Sequence, residues 1–230
     1  MENKEKLKND GYFIVKNVFS NDEIKHYKDV ILNYIKKNGT IRNSGGITIP
    51  DFMKHTELDD ISQLKNNKKI NELLNDLFDG CYRFCSHNDI GINRIVGWHK
   101  DKLNGHFAKY ETQDIWGEYN GEKHEIVKVL LYLQDHSNNN DGLKIVPGSH
   151  LNKQIETNNI VQLYPDVGDV IIFDQRITHR GMDRQVSEPR ILVSFGFGKN
   201  NIYTDNFEKG TVMRQNYQNN MSLNNIVEHN

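Results

Sequence analysis

The chain is poor in cysteine, with only Cys81 and Cys85 among its 230 residues. Their spacing along a predicted strand places both side chains on the same face. No further cysteine and no paired histidine motif lies nearby, so a zinc site is not expected. We predict that both cysteines are reduced structural thiols.

The sequence also lacks a long apolar run and a strong excess of either charge. No segment approaches the about 20 apolar residues of a transmembrane helix, and residues 1–6 lack the apolar centre of a secretory signal. The formal net charge of −2 gives no general reason to expect nucleic acid or an anionic membrane as a partner. We therefore expect a cytoplasmic protein that acts on a small molecule, and its oligomeric state stays open.

The most informative pattern consists of His99, Asp101 and His179. Alternate side chains of an extended segment point to the same side, so His99 and Asp101 can reach one ion while Lys100 points away. His179 follows a predicted buried strand at 170–173 and can supply a third ligand. Two imidazoles and one carboxylate form the facial triad that binds Fe(II) and leaves positions open for oxygen chemistry. The pattern predicts an oxygenase, although an isolated His-x-Asp pair is more often a surface or capping feature.

Arg190 begins a second informative segment, a predicted strand at 190–198. Alternate positions from Ile191 to Phe197 form an apolar face, and Arg190 starts the other, more open face. A buried guanidinium there needs an anionic partner, and a dicarboxylate cosubstrate would match it in bidentate geometry. The alternative is an exposed arginine just after Pro189.

At this point the chain resembles the phytanoyl-CoA dioxygenase-like branch of the Fe(II)/2-oxoglutarate-dependent oxygenases. The matching blocks occur in the family's order within residues 97–198, and the segment 10–19 followed by a helix is similar to the family's N-terminus. The blocks are W-H-K-D at 98–101, D-G-L-K-I-V-P-G-S-H at 141–150, G-D-V-I-I-F-D at 168–174, His179 and Arg190.

The resemblance implies a mainly β fold, a cupin-like double-stranded β-helix (jelly roll) with N-terminal α-helices packed outside. It implies that His99, Asp101 and His179 are the catalytic iron ligands, and that Arg190 anchors the distal carboxylate of the cosubstrate 2-oxoglutarate. His150 is not carried over as a ligand, because the family has a structural turn there. We predict one domain over 1–230, with a helical part at about 1–79, a core at about 80–198 and a C-terminal extension at about 199–230.

Two positions depart from the family's pattern. Many members have a tryptophan near Leu130 and a small hydroxyl residue where this chain has Gly181, so the detailed 2-oxoglutarate contacts can differ here. Leu130 belongs to a predicted strand at 128–135. On this strand, Lys128, Tyr132 and Gln134 share a face that can line the barrel interior. Tyr132 is our candidate for a cosubstrate or substrate contact, and an aromatic that only fills the barrel is the alternative.

The remaining segments predict supporting structure. A strand at 12–15 precedes a helix that begins after Ser20, runs to about Lys37 and ends at Gly39. A second helix is expected at 61–78, and the segment 43–50 between the helices is predicted to be a loop. The insertion at 102–126 is either a flap over the metal or a loop packed on the barrel rim. From about Lys199 we expect an irregular or partly ordered tail.

Together these features predict a 2-oxoglutarate-dependent dioxygenase of the hydroxylase type that acts on a small polar metabolite and releases succinate and CO2. Asp101 favours hydroxylation or desaturation, because related halogenases carry a small residue in its place. The alternatives are a metal-dependent cupin-type enzyme without 2-oxoglutarate and a non-catalytic jelly-roll binding protein. Several cations near the ligand segments can recognise an anionic group or lie solvated on the rim: Arg94, Lys102, Lys109, Arg176 and Arg180.

Overall fold

The computed structural model describes residues 2–38, 41–43, 46–136, 142–181 and 189–227. The strands are β1 (Tyr12–Val15), β2 (Ile41–Asn43), β3 (Gly46–Pro50), β4 (Tyr82–Ile92), β5 (Glu118–Tyr119), β6 (Glu122–Lys123), β7 (Ile126–Tyr132), β8 (Lys144–Val146), β9 (Val161–Gln162), β10 (Val170–Asp174), β11 (Thr178–Arg180) and β12 (Ile191–Lys199). The helices are α1 (Glu2–Asp10), α2 (Asn21–Asn38), α3 (Asp59–Ser62), α4 (Lys68–Leu77) and α5 (Ile202–Val227). Short 3-10 helices cover Phe52–Lys54, Thr56–Leu58, Gln63–Asn66, Gly105–Tyr110 and Ser149–Leu151.

Two antiparallel sheets form the barrel. The large sheet has seven strands in the order β1-β10-β7-β12-β4-β3-β2, and the small sheet has three in the order β11-β8-β9. Between them lies a cluster of buried side chains that includes Leu130 and Phe173 of the large sheet and Ile145 of the small sheet. The predicted jelly roll is therefore confirmed.

The other face of the large sheet is covered by the N-terminal helices. Strand β12 presents Ile191, Val193, Phe195 and Phe197 to this side, as its alternation predicts, and α2 and α4 contribute buried residues to the same cluster. Burying each such side chain stabilises the fold by roughly 1.5–3 kcal/mol. Helices outside the barrel are thus confirmed, and no helix of the described residues is long and apolar enough to cross a membrane.

Helix α2 begins where its sequence predicts. The Ser20 hydroxyl accepts a hydrogen bond from the backbone N–H of Glu23 at 3.3 Å, and the Glu23 carboxylate accepts one from the backbone N–H of Ser20 at 2.8 Å. This reciprocal capping box satisfies two amide groups at the start of the helix. The helix runs to Asn38, and Gly39, predicted to end it, lies outside the described residues.

Three sequence-based expectations about the periphery are wrong. The segment predicted as a loop at 43–50 contains β3, which pairs Ile47 with Ile92 and Ile49 with Ile90 of β4; residues 44–45 lie outside the described part of the chain. The predicted helix at 61–78 is broken, because Asn67 adopts an extended conformation (ψ 127°) and its side chain caps α4. Instead of the irregular tail expected from about Lys199, residues 202–227 form the long helix α5.

The cysteines also differ from expectation. Cys85 is buried in β4, whereas Cys81 precedes the strand and is exposed, so they do not share a face. Both are free thiols, as predicted.

The turn before β10 provides a test of the fold. Gly168 has a φ of +86°, and a Cβ there would lie 2.0 Å from the carbonyl oxygen of Phe19, whereas Gly80 has a φ of +75° and open space around it. We expect Gly80→Ala to cost about 1 kcal/mol, from backbone strain alone. Gly168→Ala should cost roughly 1–3 kcal/mol more, because a backbone atom must also move. Urea unfolding of both variants measures the difference, and equal costs would contradict this packing.

Candidate active site

The backbone brings the predicted metal-binding residues together. The segment that follows β4 runs antiparallel to β11. The backbone N–H of His99 donates to the carbonyl of His179, and the N–H of His179 donates to the carbonyl of His99, both at 3.0 Å. The N–H of Asp101 donates to the carbonyl of Gln175 at 2.9 Å. These bonds place the two imidazole rings 4.2 Å apart between centroids.

His99, Asp101 and His179 form a cluster that can hold a metal ion. One potential ligand atom from each lies within 4.8 Å of the others. His99 Nε2 is 3.4 Å from one carboxylate oxygen of Asp101, and His179 Nε2 is 3.7 Å from the other. Each Nδ1 is hydrogen-bonded to a backbone carbonyl, at 2.8 Å for His99 and 3.0 Å for His179. An Nδ1–H donor leaves Nε2 as the free ligand atom, which is how metal-binding histidines are commonly oriented.

The pKa values of the three residues decide which of them can bind a cation without first losing a proton. Burial lowers the pKa of His179 to about 4, so its ring is neutral at pH 7. Burial alone would raise the pKa of Asp101, but the Lys128 ammonium and the two histidines hold it well below its usual value. For His99, burial lowers the pKa, while the hydrogen bond and charge of Asp101 outweigh it and raise the pKa. A metal ion must therefore displace a proton from His99 when the ring is charged.

Lys100 points away from the cluster, as its position between the ligands predicts. Its ammonium donates to the carbonyls of Ser149 at 2.6 Å and Arg176 at 2.8 Å. The predicted non-ligand role of His150 also agrees with the structure. It lies in the 3-10 helix Ser149–Leu151 and its Nε2 is 3.1 Å from the carbonyl of Lys8.

Lys128 of β7 forms an ion pair with Asp101. Its buried ammonium lies 3.3 Å from a carboxylate oxygen of Asp101 and 2.6 Å from Nε2 of His87. Partners that orient a metal ligand typically contribute about 10–100-fold to metal affinity.

We expect Lys128→Met to weaken metal binding by about tenfold, because the carboxylate of Asp101 loses the ammonium that orients it from 3.3 Å. Lys100→Met is the matched control, since it removes another buried ammonium that contacts only backbone carbonyls. Competition with a chelating dye measures both affinities. Equal losses in the two variants would contradict a specific role of Lys128.

Arg190 and Tyr132 are both buried and lie together in the wall of one cavity. The Arg190 guanidinium donates to the Tyr132 hydroxyl at 2.9 Å and its central carbon lies 4.6 Å from the Tyr132 ring centre. Arg190 is only 5% exposed, so the exposed-arginine alternative does not apply. Gln134, predicted to share the interior face, instead accepts a hydrogen bond from the N–H of Ile191 at 2.7 Å. The roles of Arg190 and Tyr132 in cosubstrate binding stay predictions.

A single cavity of about 380 Å³ contains all five predicted site residues. This volume lies within the range of small-molecule sites. The sequence did not indicate several other residues that line this cavity, among them His87, Asp89, Ser194, Arg214 and Gln218. His87 and Asp89 alternate along β4, which is a usable signal, whereas Arg214 and Gln218 come from the unpredicted helix α5.

The insertion at 102–126 mostly packs on the rim. Only Lys102 and Asn104 of this segment line the cavity, while the Trp116 indole N–H donates to the carbonyl of His150 at 3.0 Å. The rim alternative thus describes most of the segment better than a flap. Among the other cations considered, Arg94 lines the cavity, and Arg176 pairs with Asp174 at 2.6 Å. Arg180 stacks on Trp98 at 5.6 Å and Lys109 is exposed.

Comparison with known families identifies the class. Residues 7–191 match the family phytanoyl-CoA dioxygenase (PhyH), and the chain belongs to this family. The family resemblance seen in the sequence is confirmed. Among curated protein sequences, none matches this chain.

Solved structures agree on the fold. HygX from Streptomyces hygroscopicus, with nickel and 2-oxoglutarate bound, has a TM-score of 0.67 and 14% identity over 86% of this chain and 87% of its own. The α-ketoglutarate-dependent epimerase SnoN from nogalamycin biosynthesis has a TM-score of 0.67 and 16% identity, over 86% of this chain and 82% of its own. The α-ketoglutarate-dependent carbocyclase SnoK from the same biosynthesis has a TM-score of 0.65 and 17% identity, over 86% of this chain and 83% of its own. At these identities the likeness concerns the fold.

Proposed function

We propose that this protein is an Fe(II)- and 2-oxoglutarate-dependent oxygenase that hydroxylates a small polar metabolite. The observation that carries the proposal is that one cavity contains both the His99–Asp101–His179 cluster and the buried guanidinium of Arg190. A non-catalytic binding protein has no need for this combination. A cupin-type enzyme without 2-oxoglutarate has no distal carboxylate for Arg190 to hold.

The donor set of the cluster fits ferrous iron. The imidazoles of His99 and His179 and the carboxylate of Asp101 would hold the ion, and this set of ligands would leave coordination positions open for cosubstrate and oxygen. When bound, iron and 2-oxoglutarate supply an oxidation in which substrate, O2 and 2-oxoglutarate become hydroxylated substrate, succinate and CO2. HygX and SnoN are described with the same cosubstrate, which supports the proposal by likeness of fold.

The residues of the chain bind and orient the reactants in this scheme. Arg190 receives the distal carboxylate of 2-oxoglutarate in a bidentate pair, and the Tyr132 hydroxyl holds the guanidinium in place. The apolar side chains of Leu130, Leu143 and Phe173 line the same cavity and limit the access of water. We propose that residues 1–230 act as one domain in this reaction.

Hydroxylation is our proposal for the outcome, because Asp101 fills the position that related halogenases leave small. Two of the similar folds belong to an epimerase and a carbocyclase, so product analysis must distinguish these outcomes. Hydroxylation adds one oxygen atom to the substrate, epimerisation leaves its mass unchanged, and oxidative cyclisation removes two hydrogen atoms.

The test is succinate release from 2-oxoglutarate in air, first without added substrate and then with a panel of small polar metabolites. We expect slow release that requires Fe(II), and faster release with a substrate. The Asp101→Asn variant sets the background rate. Release by the wild-type protein that never exceeds this background would argue against the proposal.

A further inference from the structure

One wall of the cavity is built on β4, whose residues His87, Asp89 and Gly91 alternate towards the interior. Gly91 leaves room on this face, because a Cβ there would lie 3.0 Å from Cδ of Arg94. The side chain of Arg94 therefore folds back over the strand. This places its guanidinium on the same wall of the cavity as Asp89.

Helix α5 brings a second guanidinium to the same wall. Arg214 Nη2 lies 3.1 Å from Nδ1 of His87 and 4.0 Å from a carboxylate oxygen of Asp89. The neighbouring Gln215 donates to the carbonyl of Asn88 at 3.1 Å and so ties α5 to β4. Asp89 thus has Arg214 beside it and lines the same cavity as Arg94.

The charges of this wall do not balance. Elsewhere in the cavity, Lys128 pairs with Asp101, Arg190 contacts Tyr132, and Lys100 is bound to backbone carbonyls. The ammonium of Lys102 lies 5.9 Å from the centre of the Trp116 ring. What remains is two guanidiniums against the single carboxylate of Asp89. Among the residues that the structure describes, Arg94 has no hydrogen bond or ion pair from its guanidinium, and the buried Nε atoms of Arg94 and Arg214 lack partners.

A partly buried guanidinium without a partner is unfavourable, and it favours the binding of an anion. We propose that Arg94 and Arg214 bind an anionic group of the substrate, a carboxylate or a phosphate, while Asp89 accepts a hydrogen bond from a hydroxyl or amino group beside it. This inference rests on the proposed function, because it assigns the substrate to the cavity that contains the metal cluster. The substrate class is a small polar metabolite with one anionic group and a neighbouring donor.

The position of Arg214 makes it suited to selectivity. The family match ends at residue 191, and Arg214 belongs to α5, which begins at Ile202. The part of the chain common to the family supplies the metal cluster and Arg190. The part beyond it supplies one of the two cations that would select the substrate.

The experiment is calorimetric titration of the metal-free protein with inorganic phosphate and, separately, with acetate. We expect saturable binding of at least one of them, and about a tenfold loss of affinity in Arg94→Gln and in Arg214→Gln, since each removes charge-assisted hydrogen bonds. The anion that binds more tightly indicates whether the substrate carries a phosphate or a carboxylate. Lys209→Gln is the matched control, because Lys209 is an exposed cation on the same helix.

Absence of saturable binding in the wild type overturns the inference. The inference is also overturned if the wild type and the variant that combines Arg94→Gln with Arg214→Gln bind the anion with equal affinity, which would mean an adventitious ion only. Arg94→Lys guards against a folding effect, since it retains the charge and should bind more tightly than Arg94→Gln. The titration uses neither iron nor 2-oxoglutarate, so its failure leaves the proposed function intact, and failure of cosubstrate binding leaves the anion site intact.

Discussion

Asp101→Asn is expected to weaken Fe(II) binding by more than about 100-fold and to abolish succinate formation. Residues that only support a metal ligand contribute about 10–100-fold, so loss of a ligand should exceed that range. The change removes the only carboxylate of the cluster but keeps its shape. It also leaves the buried ammonium of Lys128, 3.3 Å from the carboxylate in the wild type, without a charge partner beside the incoming cation.

Anaerobic competition with a chelating dye measures this loss, and circular dichroism verifies that the variant is folded. Asp29→Asn is the matched control, because Asp29 is an exposed residue of α2. His179→Ala should give a loss of similar size, whereas His106→Ala, at an exposed histidine, should give none. Unchanged metal affinity in folded Asp101→Asn would contradict the assignment of the cluster.

Arg190→Ala is expected to raise the Kd of 2-oxoglutarate by at least about 100-fold without changing Fe(II) affinity. A bidentate guanidinium–carboxylate pair comprises two charge-assisted hydrogen bonds, each contributing roughly 1.5–3 kcal/mol. Arg190→Lys should recover only part of the loss, since an ammonium lacks the planar fork. The Kd is measured by titrating the iron-loaded protein without oxygen.

Tyr132→Phe tests whether the tyrosine orients Arg190. It removes the hydroxyl that accepts the 2.9 Å hydrogen bond from the guanidinium and should raise the Kd of 2-oxoglutarate by less than about tenfold. Tyr217→Phe, at a side chain 56% exposed, is the control. If Arg190→Ala binds 2-oxoglutarate as the wild type does, Arg190 has a structural role instead.

The centre of the site could be predicted because its residues follow local rules. The His-x-Asp spacing places two ligands on one side of an extended segment, and the alternation of the predicted strand at 190–198 places Arg190 on the face opposite its apolar side chains. What the sequence could not show directly is the pairing of the His99 segment with β11. Those backbone hydrogen bonds connect residues far apart in the chain. The sequence indicated His179 only by its position after the predicted strand at 170–173 and by the family resemblance.

The periphery was harder to predict because its signals are weak or polar. Along α5, the buried face includes Thr204, Phe207, Thr211 and Gln215, which have helical spacing but only one large apolar side chain among them. A search for apolar periodicity misses such a helix. Strand β3 was missed because neighbouring glycines indicate a loop, whereas pairing with β4 decides the conformation. The missed helix matters most, since it supplies Arg214 and Gln218 to the cavity.

The most direct test of the central claim is an anaerobic titration of the Fe(II)-loaded protein with 2-oxoglutarate, followed by visible absorbance. The chelate of iron and the 2-oxo acid gives a weak charge-transfer band. If His99, Asp101 and His179 hold iron and Arg190 holds the cosubstrate, the band appears in the wild type and needs at least about 100-fold more 2-oxoglutarate in Arg190→Ala. Absence of the band despite bound iron would contradict the account and favour a metal-dependent enzyme that does not use 2-oxoglutarate.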